Sequence, residues 1–165
     1  MCSDEVARAG LQLADFPPEL WVELDQMLPP FYSRHNPLDM VASAGGDVGP
    51  KIVSLVAECD TVDAVIVLSC LGVPSTGASE RAAGSDDGEF AGLSVWETSF
   101  MAVMADLMEK TGKPIINVPD TPIRGSVFDF GRKYKTIVLG TPQAAARALD
   151  RMEWYGAYRR ANGAD

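Results

Sequence analysis

An uninterrupted apolar run near the middle of the chain limits the possible folds more than any other segment. Residues 63 to 69 read Asp-Ala-Val-Ile-Val-Leu-Ser, with β-branched side chains in succession and no polar alternation. A strand of this kind is typical of a parallel sheet that helices cover on both faces. The run therefore predicts a buried parallel strand in a layered α/β fold.

Helical and strand-like segments alternate along the rest of the chain. Helices are expected to end at Gly10, to begin at Pro17-Pro18 and after the N-cap Asp47, and to span about 93–110, 125–132 and 141–160. Further strands are expected at 11–13, 115–118 and 136–139. This alternation predicts a single α/β domain over residues 1–165 with a mostly parallel sheet, interrupted by a long Gly- and Ser-rich loop at about 70–92.

The overall composition excludes several classes of protein. The chain has 165 residues, of which 47% are hydrophobic, and this is enough for a core of its own. A net charge of -9 opposes binding to nucleic acid or to an anionic membrane. No apolar segment is long enough for a transmembrane helix and no signal peptide is indicated, so a cytoplasmic location is expected. Three cysteines and one histidine without zinc-type spacing predict no metal site.

The segment NPLDMVASAGGD, residues 36–47, is the first candidate for a functional site. Pro37 fixes the backbone and holds Asn36 extended, and Asp39 follows at the edge of the sheet. Gly45 and Gly46 allow a tight turn into the next helix. At the carboxyl edge of an open sheet, where ligands collect, these five residues are candidates for contact with a substrate or a neighbouring domain.

A plain strand-to-helix connection is the competing interpretation of this segment. We favour it over direct ligand contact, because Asp39 and Asp47 repel phosphate unless a metal is present.

Three other features each have a functional and an ordinary interpretation. The loop at 70–92 is either a lid or a solvated insertion. The basic cluster is either a partner site or an ordinary charged surface; it comprises Arg124, Arg132, Lys133 and Lys135. The aromatic residues at the end of the last helix either seat against another domain or pack within this one; they are Trp154, Tyr155 and Tyr158.

Several separated segments, taken together and in this order, resemble one known family. The segments are Ala9-Gly10-Leu11, Asn36-Pro37-Leu38-Asp39, Val62-Asp63-Ala64-Val65-Ile66-Val67, Gly112-Lys113-Pro114-Ile115, and Thr141-Pro142 through Ala144-Ala145-Ala146-Arg147-Ala148-Leu149. They resemble the last, flavodoxin-like ligase domain of the ADP-forming acyl-CoA synthetases, which are relatives of succinyl-CoA synthetase. The resemblance implies a flavodoxin-like three-layer sandwich.

The resemblance also implies a reaction. Complete enzymes of this family convert an acyl-CoA, ADP and phosphate into the free acid, CoA and ATP, through an acyl phosphate and a phosphorylated histidine. They use a CoA-binding domain, a phosphohistidine domain, a ligase domain of the present kind and an ATP-grasp domain. CoA, ADP or ATP and Mg²⁺ are thus expected in the complete enzyme, and none of them is expected to bind to this chain alone.

Part of the family pattern is absent. The family's domain opens with a strand and a Gly-rich loop before a helix whose N-terminus faces the phosphohistidine, and Met1 is expected to fall inside that helix. In the strand order 2-1-3-4-5 the first strand is central, so its loss predicts instability or association. His35 does not match the family's Ser-His-Thr-Gly context, and we assign no catalytic residue.

Two hypotheses follow. The first is the ligase-domain portion of an ADP-forming acyl-CoA synthetase, inactive without its partner domains. The second is a non-enzymatic α/β binding module, which the fold alone does not exclude. The sequence does not identify the acyl substrate, and it leaves open whether the chain forms a homo-oligomer.

Overall fold

The helices and strands of the computed structural model follow the expected α/β alternation. The structure describes residues 2–41, 46–71, 93–123 and 126–163. In chain order the elements are α1 (Cys2–Arg8), α2 (Pro18–Met27), α3 (Val48–Glu58), β1 (Val65–Leu68), α4 (Val95–Thr111), β2 (Ile115–Val118), β3 (Val127–Phe128), β4 (Thr136–Val138) and α5 (Pro142–Ala161).

The sheet has the strand order β1-β2-β4-β3. β1, β2 and β4 are parallel, and β3 pairs antiparallel with β4. Successive side chains of a strand point to opposite faces. Val67 accordingly packs on the side of α3 and α4, whereas Ile66 and Ile116 pack on the side of α5. The predicted layered α/β fold with a mostly parallel sheet is confirmed.

The core between the sheet and α4 explains the apolar stripe of that helix. Phe100, Met101 and Met104 are fully buried against β1, β2 and β4. Trp96 is partly buried and stacks on Phe100 with a distance of 4.9 Å between ring centroids. The spacing of these residues in the sequence is therefore the spacing of a core-facing helix.

The helices α3 and α4 begin differently. The hydroxyl of Ser94 accepts a hydrogen bond from the amide of Glu97, whose carboxylate accepts one from the Ser94 amide. Asp47 precedes α3, but its side chain does not cap the helix and instead pairs with Lys51. The expectation that Asp47 caps by its side chain is wrong, because its backbone is helical (φ -97°, ψ -4°) rather than extended as a capping side chain requires.

This contrast gives a first prediction. Ser94→Ala removes both bonds of the capping box and is expected to lower the free energy of unfolding by about 1 kcal/mol. Asp47→Ala is the matched control and should leave the free energy of unfolding nearly unchanged, because the ion pair of Asp47 with Lys51 is exposed to solvent. Urea unfolding followed by circular dichroism measures the free energy of unfolding of both variants. An equal decrease for the two variants would contradict the assignment of the capping box to Ser94.

Two predicted elements differ in the structure. Leu11–Leu13 is not a strand, because no neighbouring strand pairs with it among the described residues. The predicted helix at 125–132 is also wrong. Phe128 is fully buried, and pairing with β4 holds it in the core as part of β3. Gly131 then takes a positive φ of 68°, which ends any helical path.

Within the described part of the chain, no helix is both long and apolar enough to cross a membrane. Most of the predicted loop at 70–92 lies outside the described residues, because the description stops at residue 71 and resumes at 93.

Candidate functional site

The segment 36–47 ends beside the N-terminus of α4. The indole Nε1 of Trp96, in the first turn of α4, donates a hydrogen bond of 2.8 Å to the carbonyl of Gly46. In the chain α4 comes after β1, so its N-terminus lies toward the carboxyl end of the parallel strands. The end of the segment is therefore near the edge of the sheet at which open α/β folds bind ligands.

The side chain of Asn36 links two segments that are distant in the chain. Its side-chain Nδ2 donates a hydrogen bond of 3.0 Å to the carbonyl of Ala14, twenty-two residues earlier. The peptide bond between Asn36 and Pro37 is cis, and Leu38 packs against the apolar cluster of α2 and α3. The Asn36 amide thus holds two chain segments together and is partly withdrawn from solvent.

Asp39 is used in a local turn. Its carboxylate accepts a hydrogen bond of 2.9 Å from the amide of Val41, whose φ is 44°. Gly46 has a φ of 61°, in agreement with the turn expected of it; Gly45 lies outside the described residues. Pro37 and Asp39 are solvent-exposed. The side chains of Asn36 and Asp39 form hydrogen bonds with backbone groups of the chain itself. The expected strand edge at Asp39 is wrong, because no strand lies between α2 and α3 in the described part of the chain.

The acidic groups near this segment do not form a metal or phosphate site. Lys51 lowers the pKa of Asp47 by a hydrogen bond and by its charge, so this carboxylate is ionised and already paired. No cluster of three or more His, Cys, Asp or Glu side chains suited to a metal ion occurs among the described residues. These residues therefore do not fit a Mg²⁺ site, and a phosphate would meet negative charge at Asp39 and Asp47.

The described part of the basic cluster is an ordinary charged surface. Arg132 pairs with Asp106 of α4, and Lys135 pairs with Asp129 at a distance of 3.0 Å. The Nζ atom of Lys133 lies 5.1 Å from the centroid of the Tyr134 ring. Arg124 lies outside the described residues. The cations described here already have partners in the protein.

Asn117 is a feature that sequence reasoning did not single out. It is fully buried in β2, and neither its Nδ2 nor its Oδ1 has a hydrogen-bond partner among the described residues. Its neighbours in the sheet are Val67 and Val138, which are both apolar. The sequence signal that could have identified it is a single amide side chain in the otherwise apolar strand Ile-Ile-Asn-Val. A buried polar side chain without a hydrogen bond is unusual, because such groups normally have a partner.

The chain leaves β1 by an unusual backbone path. Ser69 has a φ of 56° while its amide still bonds to Val118, with a distance of 2.9 Å. The carbonyl of Leu71 then accepts a hydrogen bond of 2.8 Å from the amide of Asp120. These bonds join the exits of β1 and β2 and fix the position of Cys70, which is buried between them.

The buried thiol of Cys70 gives a prediction for pH dependence. Burial raises the pKa of Cys70 from 9.0 to about 11. In the unfolded chain the thiol ionises first, so the unfolded state binds fewer protons over this interval and stability falls as the pH rises from about 9 to about 11. Cys70→Ala should reduce this fall, as measured by urea unfolding at several pH values. Identical slopes for the two proteins would contradict the prediction.

The sequence is similar to one type of CoA ligase. No family model matches it. It is 29% identical over 116 residues to acetate–CoA ligase (ADP-forming) II subunit alpha of Pyrococcus furiosus, and the match covers 70% of this chain and 22% of that relative. The chain thus spans about a fifth of the relative's length. This similarity supports a distant relationship to the ADP-forming CoA ligases.

Proposed function

We propose that the chain is the ligase-domain portion of an ADP-forming acyl-CoA synthetase. In the complete enzyme an acyl-CoA, ADP and phosphate would yield the free acid, CoA and ATP. The observation that carries the proposal is the similarity to an ADP-forming acetate–CoA ligase subunit over 70% of the chain. Of the segments that resemble the family's ligase domain, residues 62–67 lead into β1 and residues 141–149 begin α5, whereas residues 9–11 and 36–39 lie in connections between helices.

The proposal requires other domains, because the chain spans only 22% of the relative. CoA-binding, phosphohistidine and ATP-grasp domains would supply the cofactor sites and the catalytic histidine. In agreement with this, His35 is exposed and contacts the hydroxyl of Ser33 at about 3.0 Å rather than a carboxylate. Asp47, next to the Gly46 carbonyl that Trp96 of α4 binds, is ionised and would repel a phosphate there.

The end of α5 supports a role for a neighbouring domain. Ala145 and Leu149 pack against the sheet, whereas Trp154 and Tyr158 lie about half a turn around the helix and are more than half exposed. Their rings stack with 5.9 Å between centroids, and Tyr155 is exposed beside them. Aromatic residues are enriched where proteins meet, so this stripe suits a domain contact.

Reconstitution tests the proposal. The purified chain is titrated with CoA, ADP and phosphate by calorimetry, and acyl-CoA turnover is measured with and without separately expressed CoA-binding, phosphohistidine and ATP-grasp domains. We expect no heat of binding and no turnover for the chain alone, and a complex with turnover once the other domains are added. Turnover by the isolated chain would overturn the proposal.

A non-enzymatic binding module is the second candidate function. The observation that favours it is the use of the Asn36 and Asp39 side chains in backbone hydrogen bonds, while aromatic groups of α5 remain exposed. The reconstitution separates the two functions. If the chain is folded by circular dichroism and yet does not associate with the other ligase domains, the binding module is favoured.

A further inference from the structure

The strand β1 lies at one end of the sheet and has a single neighbour, β2. The amides of Val65 and Ser69 donate hydrogen bonds to Pro114 and Val118, with distances of 3.0 and 2.9 Å. Because backbone groups of a parallel strand alternate in direction, Val67 also faces β2, whereas the N–H and C=O groups of Ile66 and Leu68 point away from it. No other described strand pairs with these outward groups.

The sequence of β1 lacks the features by which edge strands normally avoid pairing. Natural edge strands carry charged side chains, proline or a bulge, or are covered by another element. β1 consists of Val-Ile-Val-Leu and has none of the first three. A strand of this composition is typical of the interior of a sheet, with a neighbour on each side.

The segment after α1 passes this edge without pairing with it. Leu11 packs in the same apolar cluster as Ile66 and Leu68, on the face of α5. Four residues later the carbonyl of Asp15 accepts a hydrogen bond of 2.8 Å from the hydroxyl of Thr61, ahead of β1. The segment therefore runs beside β1, but no backbone hydrogen bond joins the two among the described residues, and Leu13 is 41% exposed.

Apolar side chains flank this edge on both faces of the sheet. Val65 packs against the cluster of α2 and α3, and Ile66 and Leu68 pack against the cluster of α5. Val65, Ile66 and Leu68 are still only half-buried. An added strand would lie between two apolar layers, so its own side chains have to be apolar on both faces. Asp60 and Asp63 are exposed at the amino end of β1 and favour a basic residue at the nearby end of the added strand.

We propose that the open edge of β1 binds an extended segment of another protein as an additional strand. The segment is apolar on both faces, rich in Val and Ile, and carries a basic residue at one end. Its backbone pairs with the outward groups of Ile66 and Leu68, which is recognition by strand addition. This inference rests on the sheet and does not depend on the proposed ligase function.

Amide hydrogen exchange by NMR tests the proposal on the unaltered chain. The probe is a synthetic peptide of about seven residues, with alternating Val and Ile between terminal lysines. Without the peptide, the amides of Ile66 and Leu68 should exchange much faster than those of Val65 and Val67. With the peptide in excess, their exchange should slow by about tenfold or more.

Proline substitutions add a second, independent readout. Ile66→Pro removes an N–H that bonds nothing in β2, so the folded variant should lose peptide binding by about tenfold or more, as measured by fluorescence anisotropy of the labelled peptide. Because Ile66 also packs in the cluster of α5, circular dichroism first checks that the variant is folded. Val67→Pro is the matched control and should destabilise the chain strongly, because its N–H belongs to the ladder with β2.

Three results would overturn the proposal. Protection of Ile66 and Leu68 in the dilute chain alone would mean that the segment 11–15 already covers the edge. Protection that rises with protein concentration, together with a dimer by light scattering, would mean that a second copy is the occupant. Unchanged exchange of both amides in saturating peptide would mean that the edge accepts no strand.

Discussion

Replacement of Phe100 by alanine is expected to lower the free energy of unfolding by about 3–5 kcal/mol. The ring is 1% exposed, stacks on Trp96 and packs in the largest apolar cluster, between α4 and the sheet. The alanine side chain leaves a cavity that α4 can fill only in part, because the helix is also held by Met101 and Met104. Since domains are stable by about 5–15 kcal/mol, this loss is a large share of the total.

Val95→Ala is the control for this variant. Val95 lies in the same helix but is 55% exposed, so the change should cost less than about 0.5 kcal/mol. Both proteins are measured by urea unfolding with circular dichroism and with tryptophan fluorescence. A loss below about 1 kcal/mol for Phe100→Ala would show that α4 does not pack on the sheet as described.

Replacement of Asn117 by leucine is expected to raise the free energy of unfolding by about 1–3 kcal/mol. The two side chains have nearly the same shape, but the amide is fully buried and neither of its polar atoms has a partner in the described part of the chain. Folding removes these atoms from water without providing hydrogen bonds in return. Leucine has no such cost and places methyl groups beside Val67 and Val138.

Thr136→Val is the matched control. Thr136 is also fully buried in the sheet, but its hydroxyl donates a hydrogen bond of 3.0 Å to the carbonyl of Met101. Its replacement should therefore lower stability, by about 1 kcal/mol, in the opposite direction to Asn117→Leu. If Asn117→Leu destabilises the chain as well, Asn117 has a partner in the folded protein. If Asn117→Leu instead stabilises the chain and the reconstituted enzyme loses turnover, the amide serves function rather than stability.

The site was less predictable from the sequence than the fold. The chemistry of Asn-Pro is local, so an ordered connection at Asn36 was predictable from the sequence. The strand edge expected at Asp39 is wrong, because residues 38–40 pair with no described strand and the Asp39 carboxylate instead accepts a hydrogen bond from the amide of Val41. The partner of Asn36 was not predictable, because Ala14 is distant in the chain. The bond from Trp96 to Gly46 was not predictable either, because it forms only after α4 has packed. Asn117 became notable only because its sheet neighbours, Val67 and Val138, are apolar and no described residue bonds to its amide.

Local sequence alone determined where α2, α4 and α5 lie and that β1 and β2 are buried strands. Proline starts, a Ser94 cap and a periodic or continuous apolar pattern act within a few residues, so they can be read without knowledge of the fold. Tertiary structure decided what Leu11–Leu13 and Val127–Phe128 become. A strand exists only where another strand supplies its hydrogen bonds, and β4 is present beside Phe128 whereas no described strand lies beside Leu13.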